Sequence, residues 1–187
     1  IWNNGEGKMI EKLATKSDIE CKWEILTYPD SRLRKKSKPI IEITEDIRNK
    51  ALALMDFMHE AQGIGLAAPQ VDWHVRILAI NLTGQRRDGL IFLNPIIKRK
   101  SKATFAAQEA CLSIPDISAK VVRPREIVIN AMNLDGEVNQ FELNGLLARC
   151  FLHEYDHLTG VLFIDRVSPI QKLTIKKKLK KLKGKNK

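Results

Sequence analysis

His153, Glu154 and His157 stand in the pattern His-Glu-x-x-His, within Leu152-His153-Glu154-Tyr155-Asp156-His157-Leu158. On an α-helix, residues four apart lie on one face, one turn above the other. Both imidazoles then reach a single metal ion. Glu154, beside the first histidine, touches a water on that ion without binding the metal. Metal-dependent hydrolases use this arrangement: the histidines hold the ion and the carboxylate moves the proton. The chain has four histidines, and two of them fall in this one stretch. A packing helix would carry these three residues by accident in on the order of 1% of chains.

A catalytic ion usually takes three protein ligands and keeps one position open. The chain offers three cysteines, Cys21, Cys111 and Cys150. Cys150 lies one turn before His153, but three ligands in a row along one helix splay too far to enclose an ion. After Leu146, Leu147 and Ala148 it reads as a small buried apolar residue. Cys21 sits among charged residues with no motif around it. Cys111 lies in Gln108-Glu109-Ala110-Cys111-Leu112-Ser113, an irregular segment between two expected strands, where a side chain can be aimed at a site. The third notable stretch is Gly63-Ile64-Gly65-Leu66-Ala67-Ala68-Pro69-Gln70. Its glycines, alanines and proline suit a loop that lets backbone approach something closely. It lacks the lysine of a phosphate loop, which argues against a nucleotide site. Gln70 is its one side chain able to donate a hydrogen bond.

These stretches need elements to position them. Trp23 to Leu26 reads as a short strand, with a turn at Tyr28-Pro29-Asp30-Ser31. Thr44 is an N-cap, and Ile47, Ala51, Leu54, Met55 and Met58 recur at helical spacing to about Ala61. Arg76 to Asn81 and Leu90 to Leu93 read as a hairpin, interrupted at Asn94-Pro95 and extended again from Ile96 to Lys100. Lys120 to Val122, Glu126 to Met132 and Val138 to Leu143 read as strands, the last two joined by Asp135-Gly136. Gly145 opens the histidine helix and Thr159-Gly160 ends it. Leu162 to Ile164 reads as a strand. Pro169 opens a last helix on which Ile170, Leu173, Leu179 and Leu182 interleave with lysines. The fold class is α+β: antiparallel strands packed around a central metal-binding helix, with an N-terminal and a C-terminal helix.

The length, 187 residues, fits one catalytic domain. Ile1 to Lys8 resembles tag or upstream sequence, with Met9 as the natural start. Apolar content of 44% with 29% charged residues fits a soluble globular protein. The longest apolar runs are too short to span a bilayer. No segment has the layout of a secretory signal, and three cysteines make no disulfide framework, so a reducing compartment is expected. The net charge of +10 is uneven: residues 168–187 hold nine lysines and no acid, leaving about +1 for the rest. The basic character belongs to a tail rather than to a groove around the site.

Taken together, Gly63 to Gln70, Glu109 to Ser113 and His153 to His157 resemble, in order and spacing, the three signature motifs of peptide deformylases. The resemblance extends from Ile25-Leu26-Thr27-Tyr28-Pro29-Asp30 through Gly160-Val161-Leu162-Phe163-Ile164-Asp165. It implies removal of the formyl group from the formyl-methionine of newly made polypeptides. It implies a metal held by Cys111, His153 and His157, typically Fe²⁺, with Zn²⁺, Ni²⁺ or Co²⁺ as substitutes. Glu154 would be the catalytic carboxylate, with Gln70 and the Leu112 N–H steadying the oxyanion. Gly65, Ile64, Leu146, Glu109 and Ala110 would line the substrate, Ile64 and Leu146 beside the Arg149/Cys150 turn taking the methionine side chain. The expected compartment is the bacterial cytoplasm or an organellar matrix, with no membrane partner. The lysine tail is a candidate contact for the ribosome, whose surface is largely RNA phosphate. Other readings are a His-Glu-x-x-His peptidase that cuts internal bonds, and a weakened deformylase-like protein that binds metal and ribosome.

Two positions depart from the family pattern. Ala110 stands where the family has glycine. If that position needs φ > 0, alanine costs about 1 kcal/mol. Leu152 stands where glutamine is common.

Overall fold

A computed structural model describes residues 19 and 21–185 of the chain. The expectation about Ile1 to Lys8 and Met9 lies outside the described residues. Helix α1, Glu45–Glu60, opens on the Thr44 cap, whose hydroxyl accepts from the Ile47 N–H. Seven strands follow: β1 Gly65–Ala67, β2 Ile77–Ile80, β3 Leu90–Lys100, β4 Thr104–Cys111, β5 Ile114–Pro124, β6 Glu126–Met132 and β7 Val138–Asn144. Helix α2, Gly145–Leu158, carries the two motif histidines. A single turn α3, Phe163–Arg166, precedes α4, Pro169–Lys185.

Five strands form one antiparallel sheet in the order β1-β2-β3-β6-β7, and β4-β5 is a separate hairpin inserted between β3 and β6. The sequence explains which faces are covered. Every residue of β2 is buried, because helices cover both faces. Ile77 and Ala79 pack with Leu54, Met55 and Met58 of α1. Leu78 and Ile80 pack with Leu147, Ala148 and Phe151 of α2. Phe92 meets Phe141 and Phe151 edge-on at 5.2 and 5.4 Å, each pair adding about 0.5–1.5 kcal/mol beyond burial. Met55 and Met58 are core filling, as their spacing indicates.

Helix α2 lies between the sheet and the hairpin, and 11 of its 14 residues are buried. Leu147, Ala148, Phe151 and Leu152 face the sheet. Arg149, His153 and Asp156 recur at i, i+4 and i+7 and answer charged groups on β4 and β5. Cys150 and Glu154 lie beside Gly65 of β1. A third cluster joins Ile117, Ala119 and Val121 of β5 to Phe163, Ile164 and Ile175.

Several local expectations change. Gly63 to Gln70 is a loop only at its start: residues 65–67 pair with β2, and Ala68–Val71 is a 3₁₀ turn. Trp23 to Leu26 is extended but forms no strand. Its continuation is bound by the Leu26 N–H to the Gln70 carbonyl and the Tyr28 N–H to the Ser113 carbonyl, both at 2.8 Å. Leu162 to Ile164 is not a strand either, because Asp165 accepts from the Leu162 N–H at 2.8 Å and winds the turn of α3. Asn94-Pro95 does not end the second hairpin strand. Asn94 takes φ +48° and β3 bulges past it, while its amide clips the Ile40 backbone. On α4, Ile170 and Leu173 are exposed; the packed stripe is Ile175, Leu179 and Leu182.

Candidate metal centre

Cys111 ends β4 at the hairpin turn, so a strand aims its thiol rather than a loose segment. Its Sγ lies 3.3 Å from His157 Nε2. One ligand atom from each of Cys111, His153 and His157 falls within 4.8 Å of the others, and both histidines are buried. A thiol and two imidazoles converging with no fourth protein ligand among the described residues fit a catalytic divalent ion, since closed structural sites take four. Cys150, by contrast, is buried with its thiol 3.6 Å from the Ile64 carbonyl, and burial pushes its pKa well up. A thiol held protonated this way suits the core position read for it.

His153 is oriented from behind. Its Nδ1 lies 3.0 Å from Glu109 Oε2, which leaves Nε2 for the ion. Phe163 stacks on the ring at 6.0 Å. Glu109 in turn accepts from Arg123 Nε and Nη2 at 2.7 and 2.8 Å, and from Arg149 Nη1 at 2.6 Å. Arg123 also donates to Asp156 at 2.8 Å, and Arg166 closes the chain on Asp156 at 2.6 Å. Burial alone would raise the Glu109 pKa; the hydrogen bonds from Arg123 and His153 hold it down at about 2. Glu109, expected along the substrate, is therefore engaged under His153. Arg149, expected beside the methionine pocket, is tied to Glu109 and to the Val121 and Phe105 carbonyls.

Glu154 is 4% exposed, and its Oε2 has no hydrogen-bond partner among the described residues. Burial raises its pKa to about 7. Gly65 is what lets it sit there: a Cβ at residue 65 would stand 2.5 Å from Glu154 Oε1 and 2.7 Å from Cys150 Sγ. Gln70 is 1% exposed. Its Oε1 accepts from the Ala67 N–H at 2.9 Å, which turns Nε2 toward Ser113 Oγ at 3.1 Å and Cys111 Sγ at 3.5 Å. Gly63 keeps the first two motifs together, since a Cβ there would meet Leu112 Cδ1 at 3.0 Å.

A sequence profile of the polypeptide deformylase family matches residues 22–173. The chain belongs to the polypeptide deformylase family. The peptide deformylase of Acinetobacter baumannii is 41% identical over 158 residues, covering 84% of this chain and 90% of that protein. Peptide deformylase 1 of Ralstonia nicotianae is 44% identical over 157 residues, covering 84% and 93%. The crystal structure of a plant peptide deformylase superposes with a TM-score of 0.86 at 39% identity, over 90% of this chain and 93% of that one. A Plasmodium falciparum peptide deformylase gives 0.82 at 36% identity, over 85% and 94%. Deformylases are metal-dependent hydrolases that remove the N-formyl group from nascent polypeptides. The α+β fold expected from the sequence is the fold of these structures.

Of the remaining expected residues, Ile64 and Leu146 are exposed. Leu112 packs its side chain toward the α1 cluster. Ala110 is exposed on β4 and is not among the residues with positive φ. The feared backbone strain is therefore absent. Leu152 is buried against the sheet, so its departure from glutamine concerns packing. Ser113, Arg123, Asp156 and Phe163 were not singled out from sequence. Arg123 left a signal: it continues the inward period-two run Ile117, Ala119, Val121, where a charge requires a buried partner.

Proposed function

We propose that this deformylase holds one divalent ion on Cys111, His153 and His157, with Fe²⁺ resident and Zn²⁺, Ni²⁺ or Co²⁺ as substitutes. The mixed thiol–imidazole donor set suits these ions. The ion, when bound, supplies Lewis acidity that makes water nucleophilic near neutral pH and polarises the formyl group. Glu154 takes a proton from the attacking water and passes it to the departing amine. Its unpartnered oxygen and its pKa near 7 support that role. The Gln70 amide, turned toward Cys111, and the Leu112 N–H donate to the developing oxyanion. Glu109 acts one step back, fixing the orientation and tautomer of His153. Gly65 and Ala110 border the peptide, and the exposed Ile64 and Leu146 receive the methionine side chain.

The single observation that carries this reading is the convergence of Gln70, Cys111, His153 and His157. The chain acts as one catalytic unit, and residues 168–187 form a basic appendage that contacts the ribosome where formyl-methionine chains emerge, in the bacterial cytoplasm. No described helix is long and apolar enough to cross a membrane. Protein reconstituted with Fe²⁺ under anaerobic conditions is expected to release formate from formyl-Met-Ala-Ser and leave its internal bonds intact. Cleavage of internal bonds without formate would replace this reading with a peptidase.

A further inference from the structure

Some surface cations are held in ion pairs and others are not. Several of those near α1 and the start of the fold are paired: Arg32 with Asp30 and Asp72, Arg34 with Asp165, Arg48 with Asp135, Lys50 with Asp46, while Lys35, Lys36 and Lys38 are exposed without an ion pair to another described residue. A further unpaired set lies at the corner where β3 passes into β4 and β5 into β6. Lys98, Arg99 and Lys100 end β3, Lys102 lies in the connection, and Arg125 joins β5 to β6. All five are exposed. None of the five forms an ion pair with another described residue. Glu126 is the one acid in segments 98–104 and 124–126, and Glu142 lies two strands from Arg99, across Val128.

The corner is a fixed scaffold. The Ser101 N–H donates to the Glu126 carbonyl, the Arg125 N–H to the Ala103 carbonyl and the Gly145 N–H to the Arg125 carbonyl, each at 2.9 Å. Ser101 Oγ donates to the Ala103 carbonyl at 2.7 Å and accepts from the Glu126 N–H at 3.1 Å. Like charges held close together repel, and a polyanion relieves that repulsion. The corner stands at the opposite end of β4 from Cys111, about 23 Å away at the rise of a strand. Helix α4 lies along the other part of the hairpin: Gln171 accepts from the Lys120 N–H and Lys178 reaches the Asp116 carbonyl. The corner cations and the α4 lysines are thus separate groups at different positions along the hairpin, with exposed Lys120 between them on β5.

We propose that the corner formed by Lys98, Arg99, Lys100, Lys102 and Arg125 docks RNA phosphate. This extends the ribosome reading of α4 but rests on different residues. RNA is favoured over an anionic membrane because the substrate is a nascent polypeptide, which emerges from an RNA-rich surface.

The test measures binding of the full chain to a fluorescein-labelled RNA hairpin as KCl rises. The variant K98T/K100T/K102S/R125Q is expected to lose tenfold or more in affinity at low salt. Its plot of log K against log salt should be shallower by about 2–4, since each lost phosphate contact removes roughly 0.7–0.9. The variant K98R/K100R/K102R/R125K should keep the parent slope, and all forms should hydrolyse a short formyl-peptide equally. A second variant replaces Lys176, Lys177, Lys180 and Lys181 of α4 with glutamine. If that variant loses RNA while the corner variant binds as the parent does, the corner proposal is overturned and the α4 reading survives. The reverse result sustains the corner and removes α4. If the corner variant loses only its binding to phosphatidylglycerol vesicles, the surface belongs to lipid and the RNA proposal is overturned.

Discussion

Helices α2 and α4 both carry many ionisable side chains, and burial separates them. On α2 the charges are enclosed and matched. Arg149, His153 and Asp156 meet Glu109 and Arg123 across a buried contact, while Glu154 keeps one carboxylate oxygen without a hydrogen-bond partner among the described residues. On α4 an apolar stripe of Ile175, Leu179 and Leu182 packs on the hairpin, while most of the lysines stand in water. A buried matched charge fixes geometry at short range and is screened far less by salt. An exposed unmatched charge fixes nothing and acts at a distance, within about 8 Å at physiological ionic strength. Chemistry is therefore expected to depend on α2 and association on α4, with little overlap.

The largest expected effect is at Glu154, the buried carboxylate of α2 with an unpartnered oxygen. Glu154→Gln keeps the shape but cannot take a proton. Turnover of formyl-Met-Ala-Ser should fall roughly 10²–10⁴-fold or more at unchanged metal content. Near-normal turnover by fully metallated protein would end the assignment of Glu154 as base. Next comes the matched network. Arg123→Ala removes the cation shared by two buried carboxylates, leaving Glu109 to Arg149 and His153, and Asp156 to the half-exposed Arg166, and should cost about 3–5 kcal/mol of stability by urea unfolding. Lys50→Ala, which breaks an exposed pair with Asp46, should cost about 0.3–0.5 kcal/mol. Equal costs for the two would erase the distinction between buried and exposed charge.

Helix α4 supplies the converse. Glutamine in place of Lys176, Lys177, Lys180 and Lys181 should weaken ribosome co-sedimentation at low salt and leave short formyl-peptides hydrolysed at the parent rate. Replacement is the cleaner test than deletion, because Leu179 and Leu182 pack against the same buried cluster that Cys111 packs against. Unchanged co-sedimentation at every salt concentration would remove α4 as an anchor. The smallest effect is at Ala110. Its backbone is unstrained, so Ala110→Gly gains no relief and should lose about 0.5–1 kcal/mol as a glycine in a strand. Metal content should stay, and KM for formyl-peptides should drop modestly if the methyl crowds the peptide. Identical kinetics would show that the methyl touches nothing.

Much of this division was legible in the sequence. The His-Glu-x-x-His spacing put both histidines on one helix, and the period of Ile47, Ala51, Leu54 and Met58 marked α1 correctly, including its Thr44 cap. The β6–β7 hairpin was readable from alternation and Asp135-Gly136. What the sequence hid was long-range. Nothing local says that Glu109 lies under His153, because the two are 44 residues apart and meet only when the hairpin closes on α2. Gly65 reads as a loop residue, yet it belongs to a three-residue edge strand whose lack of a side chain makes room for Glu154. The turn of α3 was mistaken for a strand because Leu162, Phe163 and Ile164 are apolar in succession, and a short apolar run does not distinguish the two.

Metal content after two single substitutions decides the ligand set most directly. Cys111 and Cys150 are both close to the motif helix, but only Cys111 converges with the histidines, and Cys150 packs as core. Purified Cys111→Ala should lose tight binding of one metal per chain, while Cys150→Ala should retain it. A Cys150→Ala protein stripped of metal beside a fully loaded Cys111→Ala protein would contradict the site described above.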